Sequence, residues 1–153
     1  MKDKKIETQA IRHQIKTTHA QEHASPLYLT SSFIYENAEE MRAAFAGETE
    51  RNIYSRFSNP NFDELITKLC LMEGADAGYA FATGMSAVFS TFAALTQSGD
   101  HIISSRSIFG STHSVFSKIM PKWNIETTYV DLHHTEEWQK AVRPNSKLLY
   151  IET

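Results

Sequence analysis

Residues 77–105 read AGYAFATGMSAVFSTFAALTQSGDHIISS, and the expected fold follows from them. The apolar run Ala77–Ala82 is bounded by turn residues, which suits a buried strand. After Thr83-Gly84, the residues Met85, Val88, Phe89, Phe92 and Leu95 recur at helical spacing and form one apolar face. Ser98-Gly99-Asp100 then turns the chain into a strand near His101–Ser105. Strand, helix, strand is the repeating unit of a parallel sheet with crossover helices.

The alternation continues downstream. Val115, Phe116, Ile119 and Met120 predict a helix that Pro121 should end or kink, followed by a strand over Ile125–Asp131. Thr135–Val142 reads as a further helix and Lys147–Thr153 as a further strand. Upstream, Asn61 and Glu64 suit a helix start, Leu65, Leu69 and Met72 share a face, and Gly74 suits the stop. Before Pro60 the chain is polar and irregular, and it reads as an extended arm with one short helix. Asn37 and Glu40 would cap that helix, Met41, Ala44 and Phe45 would share a face, and Gly47 would end it. The expected organisation is an arm over residues 1–60 and the first part of an α/β domain, with a mainly parallel sheet, over 61–153. Alone, such an arm buries little, so it is expected to lie against another surface.

Composition narrows the partners. Fifteen basic and eighteen acidic residues give a net charge of −3 with no long block of either sign, which disfavours nucleic acid and anionic membranes. No apolar run approaches the roughly 20 residues a membrane helix needs, and the start at Met1-Lys2-Asp3-Lys4-Lys5 has no signal-peptide core, so a cytoplasmic protein is expected. The single cysteine, Cys70, lies in an apolar stretch and reads as a packing residue. His19 with His23, and His133 with His134, lack a carboxylate or cysteine in ligand register, so no metal site is expected.

Chemistry in such sheets gathers where strands end and loops lead into helices. Three segments qualify on residue type. At Ala82-Thr83-Gly84-Met85-Ser86, glycine admits close backbone approach and the first helical amides favour a phosphate, although the same glycine serves a simple turn equally well. In Tyr54-Ser55-Arg56, with Asn59-Pro60 following, a guanidinium fork and a phenol can hold an anion; a solvated arginine beside a core aromatic is the bland alternative. In Ser105-Arg106-Ser107-Ile108-Phe109-Gly110-Ser111-Thr112, Phe109 can offer its face to an aromatic ring or simply pack, and Arg106 reads as a surface charge.

Together and in this order, these segments resemble the Cys/Met-metabolism family of pyridoxal-phosphate (PLP) dependent enzymes. The resemblance also takes in Pro26–Phe33, Leu69–Gly74, Thr83–Ala87 and the closing Tyr150-Ile151-Glu152-Thr153. It implies a fold-type-I enzyme in which the amides of Gly84 and Met85 hold the PLP phosphate and Phe109 stacks on the pyridine ring. Tyr54 and Arg56 would reach the cofactor of a neighbouring subunit, in a homo-oligomer built as a dimer of dimers. Much of the family carries tyrosine where Phe109 stands. Phenylalanine is usual in the O-succinylhomoserine sulfhydrylase branch, which implies replacement of a γ-acyloxy group by sulfide to give homocysteine in methionine biosynthesis. Cystathionine γ-synthase and methionine γ-lyase are the alternatives within the family. A non-catalytic cofactor-binding or assembly module and a nucleotide-binding domain are alternatives outside it, the second lacking a Gly-x-Gly-x-x-Gly loop. No lysine here lies in the family's Ser-x-Thr-Lys setting, so the lysine that carries the cofactor is expected beyond Thr153, and this segment alone is expected to be inactive.

Overall fold

The computed structural model describes residues 4–14 and 16–153, and these fall into two units, Met1–Ala80 and Phe81–Thr153. Of the polar start, Met1–Asp3 lie outside the described residues.

The first unit holds three helices. α1 (Ile6–Arg12) was not anticipated from the sequence; it packs on α3 (Pro60–Glu73) and buries Gln9. α2 (Ala38–Phe45) starts as read, with the Asn37 side chain accepting the Glu40 amide at 2.9 Å. The Glu40 carboxylate accepts the Glu36 amide at 2.7 Å, one residue earlier than a capping box would have it. Gly47 follows the helix at φ +71°, the left-handed region that glycine enters without a Cβ clash. Of the face that Met41, Ala44 and Phe45 share, only Ala44 is buried; Met41 and Phe45 are exposed.

The start of α3 corrects the sequence reading. Its cap is Asn59, whose side chain accepts the Asn61 amide at 2.9 Å, and Pro60 occupies the first turn, where a missing N–H leaves nothing unsatisfied. Its end is as read, at Gly74 with φ +65°. Leu65 and Leu69 remain about half exposed, so this unit by itself does not bury the apolar face of α3. Cys70 is half-buried, with its Sγ 3.1 Å from where a Cβ on Gly78 would stand.

The run Ala77–Ala82 forms no strand. Apolar character alone gives strand propensity, whereas a strand also needs a neighbour's backbone to complete its ladder. Tyr79 and Phe81 are exposed.

The second unit contains the parallel sheet. α4 (Gly84–Leu95) leads through a short turn into β1 (His101–Ser105). α5 (Gly110–Ser114) passes into a π-helical turn over Val115–Ile119 and a 3₁₀ turn over Met120–Trp123. Pro121 thus falls where the regular helix has already given way. β2 (Glu126–Val130), α6 (Thr135–Ala141) and β3 (Ser146–Tyr150) follow. The strand order is β2-β1-β3, all parallel, with Ile102 opposite Thr127 on one side and Leu148 on the other. β3 stops at Tyr150, short of the predicted end at Thr153.

β1 is buried along its whole length. Phe92 of α4, Ile102, Val115, Phe116, Met120 and Ile125 make the core, with Met85, Val88, Phe89, Leu148 and Tyr150 packed against it. The rings of Phe92, Phe116 and Tyr150 form a triangle with centroids 4.6, 5.0 and 5.5 Å apart. Leu95, assigned to the same helix face from its spacing, is exposed instead. His101 is fully buried in β1 and bonds to both flanking strands, with Nδ1 2.8 Å from Ser146 Oγ and Nε2 2.8 Å from Thr128 Oγ1. No helix among the described residues is long and apolar enough to cross a membrane, and no group of histidine, cysteine or carboxylate side chains among them could hold a metal.

Candidate active site

The start of α4 is built by Thr83. Its hydroxyl accepts the Ser86 amide at 3.1 Å and its carbonyl accepts the Ala87 amide at 3.1 Å. The first four amides of a helix have no partner within it. The Thr83 hydroxyl takes that of Ser86, and those of Gly84 and Met85 are left for solvent or a ligand, at the positive end of the helix dipole. Gly84 is exposed and not at positive φ, and a Cβ there would meet nothing within 4 Å. Neither the backbone nor the packing of this chain therefore demands glycine at this position.

The short connection from α4 to β1 makes helix and strand run in opposite senses, so Gly84 lies toward the end of the sheet where the strands finish. α5, which begins after β1 ends, packs on α4. Phe109, immediately before α5, has its ring 62% exposed, and among the described residues no other ring packs on it. It is available as a flat apolar face. The structure thus places Gly84, Met85 and Phe109 in one unit, the first two opening α4 and the third just before α5. Arg106 stays at the surface, with its amide bonded to the Val130 carbonyl at 3.0 Å.

Glu152, expected from the sequence to lie in a strand, instead follows β3 and bonds to the loop after β1. One of its oxygens accepts the Phe109 amide; the other accepts the Thr112 hydroxyl at 2.8 Å and the Tyr150 hydroxyl at 2.7 Å. Burial pushes this carboxyl up, but the hydrogen bonds from Tyr150, Phe109 and Thr112 outweigh it and hold it below the ordinary carboxylate value. Burial, then the Glu152 carboxylate, push the Tyr150 phenol up to about 12. At neutral pH the phenol donates and the carboxylate accepts.

Tyr54 and Arg56 lie in the first unit. The Arg56 guanidinium sits over the Tyr54 ring at 4.9 Å and the Phe57 ring at 5.2 Å; it is exposed and makes no ion pair among the described residues. The stacking orients the fork while leaving its N–H edges open to an anion. Side chains on either side of Arg56 hold this turn. Asn59 Nδ2 donates to the Tyr28 carbonyl at 3.0 Å and to Ser55 Oγ at 3.1 Å, and the Ser55 hydroxyl donates to the Thr30 carbonyl. Asn61 Oδ1 accepts the Tyr28 amide and its Nδ2 donates to the Pro26 carbonyl, both at 2.8 Å. A bridge between Ser32 and Tyr54 completes the clamp.

The family model for Cys/Met metabolism PLP-dependent enzymes matches residues 7–153. The chain belongs to this family. It is 38% identical over 148 residues to an O-succinylhomoserine sulfhydrylase of Pseudomonas aeruginosa, covering 97% of this chain and 37% of that protein. It is 37% identical over 130 residues to an L-methionine γ-lyase of Porphyromonas gingivalis, covering 85% and 33%. Its fold matches that of a Campylobacter jejuni protein whose crystal structure contains N′-pyridoxyl-lysine-5′-monophosphate, with a TM-score of 0.91, 29% identity, and coverage of 96% of this chain and 36% of that one. The chain therefore spans about a third of the length of these relatives, and its α/β architecture is that of fold-type-I PLP enzymes. A nucleotide-binding assignment is set aside by this membership.

Proposed function

We propose that these residues form the phosphate-holding and ring-contacting part of a longer PLP-dependent sulfhydrylase, which replaces the γ-acyloxy group of O-succinylhomoserine or O-acetylhomoserine with sulfide to give homocysteine. The observation that carries this reading is the start of α4, where a threonine cap leaves two adjacent amides unclaimed beside a glycine that nothing else in the chain requires.

The residues fit the cofactor. The Gly84 and Met85 amides bind its phosphate, and the exposed face of Phe109 supports its pyridine ring, an aromatic contact contributing about 0.5–1.5 kcal/mol beyond area burial. Arg56 and Tyr54 of a neighbouring subunit complete the phosphate site, the guanidinium contributing charge and the phenol a hydroxyl. This sharing accounts for an arm that leaves Leu27, Leu29 and Ile34 exposed on its own subunit. The proposed assembly is a homo-oligomer, a dimer of dimers, in the cytoplasm. When bound, PLP withdraws electrons from the attached amino acid, which makes its α and β protons removable. Proton transfer itself falls to a lysine outside these residues. Phe109 has no hydroxyl, so it orients without taking part in that transfer.

Identity to an O-succinylhomoserine sulfhydrylase over nearly the whole chain supports the choice of branch, as does phenylalanine at position 109. The 37% identity to an L-methionine γ-lyase supports γ-elimination from methionine as the second reading. Assay of the full-length protein separates them. Homocysteine formation from O-succinylhomoserine and sulfide, well above any turnover of methionine, is the expected result; faster turnover of methionine rejects the sulfhydrylase reading.

A further inference from the structure

We propose that Glu152 is the positioning residue that fixes Phe109, and with it the plane on which the cofactor ring rests. This rests on the reading of Phe109 given above. Phe109 precedes a helix of only five residues, caps it with no side-chain hydrogen bond, and projects a mostly exposed ring. With most of its surface exposed, the residue's pose depends chiefly on the backbone beneath it. That backbone is held by its amide, donated to Glu152.

Glu152 is itself anchored. The hydroxyl of Tyr150, which donates to it, belongs to a residue whose ring packs edge-on against Phe92 and Phe116 in the core. Thr112, buried in the first turn of α5, donates to the same oxygen at 2.8 Å. One carboxylate thus connects the core, the end of β3 and the loop after β1. Glutamine cannot replace it fully: its one acceptor oxygen can serve either the Phe109 amide or the two hydroxyls.

The test uses full-length protein carrying Phe109→Ala, Glu152→Ala, Glu152→Gln and the double variant Phe109→Ala/Glu152→Ala. The readouts are PLP dissociation constant, visible circular dichroism of the bound cofactor, and thermal midpoint of the cofactor-free protein. Glu152→Ala is expected to weaken PLP binding roughly tenfold and to alter the cofactor's dichroic band in the same direction as Phe109→Ala. Glu152→Gln is expected to fall in between, and it serves alone if the alanine variant does not fold. In the double variant the effect of Glu152→Ala on PLP should largely vanish, because the residue acts through Phe109. Full additivity, or an unchanged band in the Glu152 variants while Phe109→Ala changes it, overturns the inference. An unchanged band and affinity in Phe109→Ala instead overturns the reading of Phe109 itself, and the inference with it.

Discussion

Gly84 separates structural from ligand-driven roles more sharply than any other residue. A Cβ there would face open space, so Gly84→Ala should leave the thermal midpoint of the cofactor-free protein within about 2 °C or raise it slightly, while weakening PLP by about tenfold or more. Equal affinity in titrations of both proteins would show that the glycine serves only the turn. His101 carries a different prediction. Burial first, then the nearby Arg143, push its pKa below the ordinary 6.5, with Glu126 opposing. The unfolded chain therefore takes up a proton that the folded chain resists. This stabilisation is complete above about pH 6.5 and is lost as pH falls from there through the folded value. Denaturant unfolding at a series of pH values should show stability declining below neutrality, and His101→Gln should flatten that slope. Unchanged pH dependence in the variant would place the titration elsewhere.

At the scale of elements, what was legible in the sequence was whatever depends on local pattern. Helical spacing in Met85–Phe92, the glycine stops at Gly47 and Gly74, and the strands His101–Ser105 and Glu126–Val130 all follow from near neighbours in the chain. What was not legible depends on remote partners. Ala77–Ala82 has strand composition but no place in the sheet, and β3 gives up its last residues because Glu152 is held by Phe109 and Thr112 more than 35 residues away. The candidate site divides the same way. Gly84, Met85, Phe109, Tyr54 and Arg56 could be nominated by residue type, whereas the clamping roles of Asn59 and Asn61 and the bonds of Glu152 emerge only from long-range hydrogen bonds. Asn59 bears this out as a test: it caps α3 and binds Tyr28 and Ser55 while only 6% exposed. Asn59→Ala should cost about 2–3 kcal/mol in urea unfolding, a lost cap together with unsatisfied buried groups. A loss below about 0.5 kcal/mol would mean that the clamp on the arm is ornamental.

At the scale of the whole molecule, the two units differ in how they are completed. The second has a core of six buried residues centred on Phe92, and Phe92→Ala should cost about 3–5 kcal/mol in the full-length protein. The first leaves Leu27, Leu29, Ile34, Phe57 and Phe62 exposed, together with half of the α3 face. So much uncovered apolar surface is a mark of an interface. Residues 1–153 produced alone should therefore self-associate, and sedimentation showing a stable, cooperatively melting monomer would contradict that.

We propose that one subunit's α4 start and another subunit's Arg56 grip the same phosphate. Two full-length variants test it: Arg56→Ala, which removes the guanidinium, and Gly84→Asp, which sets a carboxylate against the phosphate while suiting a helix start. Each alone should lose bound PLP. Co-expressed, they form mixed pairs in which one of the two shared sites combines an intact Gly84 with an intact Arg56. The measurement is PLP bound per subunit in the mixed assembly. Recovery of about a quarter of the wild-type content is expected for random pairing; no recovery above the single variants would contradict the shared site.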